Sequence, residues 1–323
     1  IWVLAQEAEK QLYSWYIDEA LRESAELLGL SADEVIQGGF KIYTAYDARL
    51  QTIADEVYAD SSFFPAAASD GTPIQSAMAV VDTNNGAVLA MIGGRDYTVR
   101  RGLNRATQMR RQPGSALKPL AVYGPALELG YTTASVLLDE KTSFGGYTPR
   151  NAGDRYYGLV TMRTAIRNSL NTTAVRLLEE IGLDASIQYL NKMGIPTRNS
   201  DRNLSLALGS MTYGVTPVEL AAAYVPYANG GIYHQPYCVE RIETVDGSNV
   251  YERKDSGKQV LSAQNAFLMT SLLQSVVSSG TGTRMLAANT PIAGKTGTVS
   301  MTGGNRDIWM TAYTPEISVA VWM

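Results

Sequence analysis

Hydrophobic positions near the start of the chain recur at helical spacing. Ile17, Ala20, Leu21, Leu27 and Leu28 fall on one stripe, and Gly29 stands where a helix would stop. Ser31 and Glu34 make a capping-box pair for a short second helix that Gly38-Gly39 ends. Phe40 to Tyr46 alternates like a strand, and Asp47 is placed to cap a further helix carrying Leu50, Ile53 and Val57. The stretch from Phe64 to Thr72 is small and turn-rich, which divides the chain into a linker-like module, 1–75, and a larger unit, 76–323.

The texture changes at Ser76. Ala77 to Asp82 and Ala87 to Ile92 are apolar runs joined across Asn84-Asn85-Gly86, where the Asn-Gly pair supplies the positive φ angles of a tight hairpin. Helical patterns dominate from Ser115 to Ser278. Thr161 to Arg167 and Thr172 to Ile181 read as helices, Thr216-Pro217-x-Glu219 is a helix start, and Ser262 opens another. Ile292 to Thr298, Ile308 to Thr314 and Ile317 to Met323 return to strands. Strands at both ends with helices between predict one α/β (α+β) domain, whose ends pair in a single antiparallel sheet.

Composition narrows the function. The 323 residues are 45% hydrophobic and 18% charged, which suits a globular chain with a large core. The net charge of −4 argues against a nucleic-acid binder. One cysteine, Cys238, and one histidine, His234, exclude an intrachain disulfide framework and a Cys/His zinc site. Cys238 reads as a buried residue, and His234 sits in a loop-like G-I-Y-H-Q-P run. Nineteen tyrosines against five phenylalanines hint at polar-aromatic contact surfaces. No window holds 18 consecutive apolar residues and no leader opens the chain, so any membrane address is expected outside it.

Three short motifs carry candidate chemistry. Ser115-Ala-Leu-Lys118 follows Pro113-Gly114 and precedes Pro119, which is tolerated only in the first turn of a helix. Positions i and i+3 share a helix face, so Lys118 is expected to reach the Ser115 hydroxyl and, if neutral, to take its proton. Ser-x-x-Lys alone is expected about once by chance in a chain of this length. Ser169-Leu-Asn171 lies on the connection between two helices, suited to proton relay and amide binding, and equally to capping. Lys295-Thr296-Gly297-Thr298 lies in a strand, with Lys295 and Gly297 on one face and the two threonines on the other. A glycine there would let a substrate peptide pass close by as an added strand. A phosphate-loop reading of Gly294-Lys295-Thr296 fails, because Asn289 stands where that motif needs glycine.

Taken together and in this order, the motifs match the Ser-x-x-Lys, Ser-x-Asn and Lys-Thr-Gly set, and the sequence resembles the transpeptidase domain of a class A (bimodular) penicillin-binding protein. The resemblance extends to Gly39-Phe-Lys-Ile-Tyr-Thr44, Asn104-Arg-Ala-Thr-Gln108, Arg111-Gln-Pro-Gly-Ser115, Leu206-Ala-Leu-Gly209, Ala228-Asn-Gly-Gly231, Gly280-Thr-Gly282 and Trp309 to Pro315. It implies an antiparallel sheet of about five strands flanked by helices. It also implies an acyl-serine enzyme that cross-links peptidoglycan stem peptides at the outer face of the bacterial cytoplasmic membrane. Its donor is a D-Ala-D-Ala peptide, its acceptor an amine, and β-lactams acylate it; no metal or organic cofactor is needed.

By the same resemblance Ser115 is the nucleophile, Lys118 the base, Ser169 a proton shuttle and Asn171 a holder of the substrate amide. Lys295 supplies positive potential, Thr296 and Thr298 bind the terminal carboxylate, and the amides of Ser115 and Thr298 form the oxyanion hole. A glycan-polymerising domain and a membrane anchor are expected upstream. The chain ends inside its last strand, so a C-terminal truncation or unlisted gaps are expected as well. A D,D-carboxypeptidase and a penicillin sensor or scaffold without turnover stay open as alternatives. A class A β-lactamase does not, since Glu-x-x-Leu-Asn is absent and Leu170 stands where its second motif carries Asp. The arginines Arg95, Arg100, Arg101, Arg105, Arg110 and Arg111 either attract anionic polymer or form local salt bridges.

Overall fold

The computed structural model describes residues 14–68, 70–286 and 290–323. Ser69, inside the turn-rich stretch, and Asn289, which breaks the phosphate-loop pattern, lie outside the described residues.

The N-terminal elements start where their caps predict. Helix α1 (Trp15–Leu28) is capped by Ser14 and stopped by Gly29 in the left-handed region. Helix α2 (Ala32–Gln37) has the full Ser31/Glu34 capping box. Strand β1 (Lys41–Thr44) follows, and Asp47 accepts the Leu50 N–H at the start of α3 (Ala48–Ala59). The buried faces differ from the expected stripes. In α1 they hold Trp15, Tyr16, Glu19, Ala20, Ser24 and Ala25, whereas Ile17 is 40% exposed. In α3 they hold Gln51 and Ala54, whereas Ile53 is 51% exposed.

The reason is polar docking onto a sheet edge. Gln51 exchanges two hydrogen bonds with the Met91 backbone, Asp47 N donates to Leu89 O, and the Tyr16 hydroxyl donates to Val88 O. Those carbonyls and amides belong to β3 (Val88–Ile92), which pairs with β2 (Ala77–Asp82). Between these strands only Gly86, not the Asn-Gly pair, has positive φ. The loop is longer than a two-residue turn and is wound by Asp82 Oδ1, which accepts from Asn84 N and Nδ2. Gly86 is also required because a Cβ would lie 2.6 Å from His234 Cβ.

The middle of the chain is less purely helical than its pattern predicts. A 3-10 turn (Gly114–Leu117) runs into a π-helical turn (Pro119–Tyr123) and then α4 (Gly124–Glu128). Strands β4 (Val136–Asp139) and β5 (Gly158–Thr161) form a small sheet, followed by α5 (Met162–Arg167), α6 (Asn171–Ile181), α7 (Leu183–Lys192) and α8 (Pro217–Ala228). Four further strands interrupt the expected helical region: β6 (Ile232–Tyr233), β7 (Val239–Glu243), β8 (Asn249–Glu252) and β9 (Lys258–Gln259). Strands β1, β7 and β8 make a three-stranded sheet, so the N-terminal module shares a sheet with residues 239–252.

Helix α9 (Ala263–Ser279) leads to β10 (Ala293–Met301), β11 (Gly304–Tyr313) and β12 (Ile317–Trp322). The central sheet has the order β10-β11-β12-β2-β3 and is antiparallel throughout, with the two ends of the 76–323 unit meeting where β12 pairs with β2. Helices α8 and α9 pack against it, and the core runs between them and the irregular helix that begins at Gly114.

The tyrosines divide between interior and surface, with Tyr157 and Tyr213 exposed. Tyr16, Tyr123, Tyr189, Tyr224, Tyr227 and Tyr313 are all buried. The arginine stretch is tied down locally: Arg101 pairs with Asp33, Arg110 with Glu219 and Arg111 with Asp307, while Arg95 lies over the Phe64 ring. Cys238 is buried as expected, and His234 faces Asp255.

Candidate active site

Ser115 sits on the 3-10 turn that opens the irregular helix. Such a turn eclipses positions i and i+3, and Pro119 forbids the amide that a regular α-helix would direct at the Ser115 carbonyl. The Lys118 amide donates to the Ser115 carbonyl instead, and two α8 tyrosines add donors to the same segment: the Tyr224 hydroxyl to Ala116 O at 2.6 Å and the Tyr227 hydroxyl to Pro119 O at 3.0 Å. Upstream, Gln112 anchors the approach. Its backbone carbonyl accepts from Trp309 Nε1, and its side-chain amide Nε2 donates to Met211 O. No described hydrogen bond uses the Ser115 hydroxyl or its N–H.

Lys118 does not reach the Ser115 hydroxyl as the helix spacing predicts. Its ammonium is fully buried and takes stronger acceptors on the second motif: Ser169 O at 2.7 Å, Leu170 O at 3.1 Å, Asn171 Oδ1 at 2.6 Å and Ser169 Oγ at 3.3 Å. Lys295, also fully buried, donates to the same Ser169 Oγ at 2.9 Å and to Thr296 O at 3.0 Å. One hydroxyl therefore lies between two lysines from distant parts of the chain. Ser169 itself adopts φ 55, an uncommon conformation for a residue with a side chain.

No ion pair reaches either lysine among the described residues. Burial pushes the Lys118 amine well below the ordinary lysine range, and the neighbouring Lys295 charge adds to the effect. Burial alone brings Lys295 down to about 7. Burial and the Lys295 charge both favour the neutral amine at position 118.

The third motif occupies β10, an edge strand with β11 on one side. Among the described residues no backbone hydrogen bond fills its outer edge. Thr296 Oγ1 lies 3.0 Å from Thr281 Oγ1, and Thr298 is exposed. Gly280 ends α9 as its C-terminal cap, which places the following Thr281 beside Thr296.

Gly297 requires a correction. Its missing side chain faces the serine turn, not the open edge: a Cβ there would lie 2.2 Å from Pro113 O and 3.0 Å from Ala116 Cβ. Gly114 is the reciprocal device, with a Cβ position 2.5 Å from Thr298 O. Two glycines thus let the β10 backbone press against the turn that carries Ser115.

Two residues the sequence reading missed stand behind Asn171. Asn151 Oδ1 accepts from Asn171 N and Thr172 N, at 2.7 and 3.3 Å, capping α6 where Leu170 has no side-chain acceptor. Asp139, fully buried at the end of β4, accepts from Asn151 Nδ2 at 2.7 Å. Their only sequence signal was a Pro-Arg-Asn run and an Asp in ordinary loop-like surroundings.

A serine turn, a depressed lysine, a shared hydroxyl and an open strand edge define an acyl-transfer site of the serine–lysine kind. A profile of the penicillin-binding protein transpeptidase domain matches residues 76–323, and the chain belongs to that family. It is 41% identical to penicillin-binding protein 1F of Bacillus subtilis over 324 residues, 98% of this chain and 44% of the relative. To penicillin-binding protein 2a of Streptococcus pneumoniae it is 33% identical, over 96% of this chain and 43% of the relative. The chain thus spans less than half the length of these relatives. Among solved structures, PonA1 from Mycobacterium tuberculosis in complex with penicillin V superposes with a TM-score of 0.81 at 26% identity, covering 94% of this chain and 82% of the other.

The Gly297 geometry sets a stability test. Gly297→Val is expected to lower stability by about 1–3 kcal/mol or more through overpacking against Pro113 and Ala116. Thermal unfolding checks it. A melting temperature unchanged by valine would mean that the strand and the serine turn are not pressed together.

Proposed function

We propose that residues 76–323 form a serine D,D-transpeptidase domain, with 1–75 as its linker module, which cross-links peptidoglycan stem peptides and is acylated by β-lactams. The observation that carries this reading is the convergence of two buried, unpaired lysines on Ser169 beside the free Ser115 hydroxyl. The names of the relatives and the penicillin-bound neighbour support it.

Ser115 Oγ attacks the carbonyl carbon of the penultimate D-alanine in a D-Ala-D-Ala peptide. The new C–O bond forms as the peptide C–N bond breaks. For this, Lys118 leaves its resting acceptors on Ser169 and Asn171 and, neutral, takes the serine proton; Ser169, within reach of both lysines, relays that proton to the departing D-alanine amine. An acceptor amine then attacks the acyl-serine: the new C–N bond forms, the ester C–O bond breaks, and the amine's proton returns to Ser115 Oγ. With a β-lactam the ring amide C–N bond opens and the leaving group stays attached. The amides of Ser115 and Thr298 hold the oxyanion, a device worth about 3–4 kcal/mol per donor. Lys295, Thr296 and Thr298 hold the substrate carboxylate, and Asn171 the substrate amide. The reaction needs no cofactor. It takes place at the outer face of the bacterial cytoplasmic membrane, where a segment outside this chain holds the protein; no described helix is long and apolar enough to cross a membrane.

Ser115→Ala is expected to abolish labelling by a fluorescent penicillin, and undiminished labelling would sink the nucleophile assignment. Supplying a donor peptide with and without an amine acceptor distinguishes the cross-linking enzyme from a carboxypeptidase, which gives only hydrolysis, and from a sensor, which gives neither product.

Lys118→Arg keeps the charge but forbids the neutral state, so acylation is expected to slow by at least roughly a hundredfold. Stopped-flow acylation of the folded variant at the wild-type rate would place the base elsewhere.

Lys295 is charged below about 7 and neutral above it. If its charge holds the β-lactam carboxylate, acylation falls as pH rises through that value, by up to about tenfold per pH unit. Lys295→Arg is expected to flatten this alkaline limb, and a wild-type rate constant from pH 6 to 9 would rule the charge out as a requirement.

A further inference from the structure

Asn171 is the third acceptor of the Lys118 ammonium, and its orientation is set from behind. Its Nδ2 donates to Arg150 O at 2.7 Å, which leaves Oδ1 to face Lys118 at 2.6 Å. The neighbouring Asn151 holds the first two amides of α6 with one side-chain oxygen. Asn151 is itself locked, since its Nδ2 donates to Asp139 Oδ1 at 2.7 Å and Arg155 O at 2.9 Å. Asp139 is held in turn by the Thr172 hydroxyl and by the Tyr157 amide at 2.9 Å. It is a fully buried carboxylate with no cationic partner among the described ion pairs.

A buried unpaired carboxylate is a costly way to build an ordinary helix cap, because a Ser or Asp at position 170 would cap α6 directly. Leu170 occupies that position instead, buried, and its carbonyl is free to accept from Lys118. Capping has been moved to another chain segment, and that segment also fixes the Asn171 side chain. We propose that Asp139 and Asn151 are positioning residues for acylation: they pin the start of α6 and so aim the Asn171 amide oxygen at Lys118. The proposal rests on Lys118 being the base.

The sign of the effect follows from the bond. Asn171 Oδ1 accepts from Lys118 and so favours its charged form; loss of that aim makes the amine give up its proton more readily. The titratable groups around Lys118 are Lys295 on β10, Tyr123 on its own helix, Tyr224 from α8 behind the Ala116 carbonyl, and Asp139 beyond Asn151. Only the last would be disconnected from the site by a change at position 151.

The test is the pH profile of penicillin acylation, normalised to folded protein. Asn151→Ala is expected to slow acylation at least tenfold and to move the acid limb toward lower pH. Thr172→Val, which removes one hydrogen bond from Asp139 while conserving shape, is expected to do the same more weakly, and Thr172→Ser to behave as wild type. A folded Asn151→Ala protein with an unmoved limb, or a loss matching only its unfolded fraction, overturns the proposal. If Asn151→Ala does not fold, the Thr172 pair decides: valine slower than serine with a moved limb supports the proposal, and equal profiles overturn it. Failure of the underlying reading is separable, because there Lys118→Arg retains acylation, whereas here Lys118→Arg is inactive while Asn151 proves irrelevant.

Discussion

Two lysine side chains, both fully buried, meet at one serine hydroxyl, and among the described residues no carboxylate pairs with either of them. Burying an ammonium group is expensive unless hydrogen bonds replace water, and two like charges in one pocket raise the cost further. The structure answers with oxygen acceptors rather than with anions. Ser169 O, Leu170 O, Asn171 Oδ1 and Thr296 O surround the two amines. This choice has a chemical consequence. A carboxylate partner would stabilise the charged form and keep Lys118 protonated; neutral acceptors leave its amine depressed and able to take a proton. Ser169 presents its carbonyl and hydroxyl to Lys118 together because its backbone turns into the left-handed region, a local strain placed at the site itself.

The irregular helix follows from the same constraint. A regular α-helix beginning at Ser115 would bury its own carbonyls in i to i+4 bonds and stand clear of β10. Pro119 breaks that ladder, the Lys118 amide takes the Ser115 carbonyl, and Tyr224 and Tyr227 add hydroxyl donors from α8 to Ala116 O and Pro119 O. The helix start is then free to lie against β10, with Gly114 and Gly297 giving the backbone-to-backbone approach. Tyrosine suits this role better than phenylalanine because a ring can fill the core while its hydroxyl satisfies an orphaned carbonyl.

Much of this was legible in the sequence, and what was not has a common cause. Local signals held: Ser31 with Glu34, Asp47, Thr216 with Glu219 and Ser262 each start the helix they predict. The three motifs were visible because each sits within four residues. Long-range polar contacts were invisible. Gln51 is buried because it pairs with the edge of β3, so the apolar stripe of α3 points the wrong way. Lys118 turns from Ser115 toward acceptors some fifty positions later, which i to i+3 reasoning cannot foresee. Gly297 was read as a gap for substrate because the sequence says only that a side chain is missing, not which neighbour occupies its place.

The two edges of the central sheet show how the fold separates stability from function. An unpaired strand edge invites association with any extended chain. At β3 that risk is removed by the N-terminal module, through Asp47, Gln51 and Tyr16, and by the Tyr237 carbonyl that accepts from Val88 N. At β10 the edge is left open beside the lysines and the serine turn. The same backbone groups that would be a liability elsewhere become a docking rail when the incoming chain is a substrate. Their neighbours restrict what docks: one face of β10 is closed against the serine turn by Gly297, and the other carries the hydroxyls of Thr296 and Thr298. Under the proposed function, an extended peptide added to this edge would be fixed first by main-chain register and only then by the charge of the side chains around it.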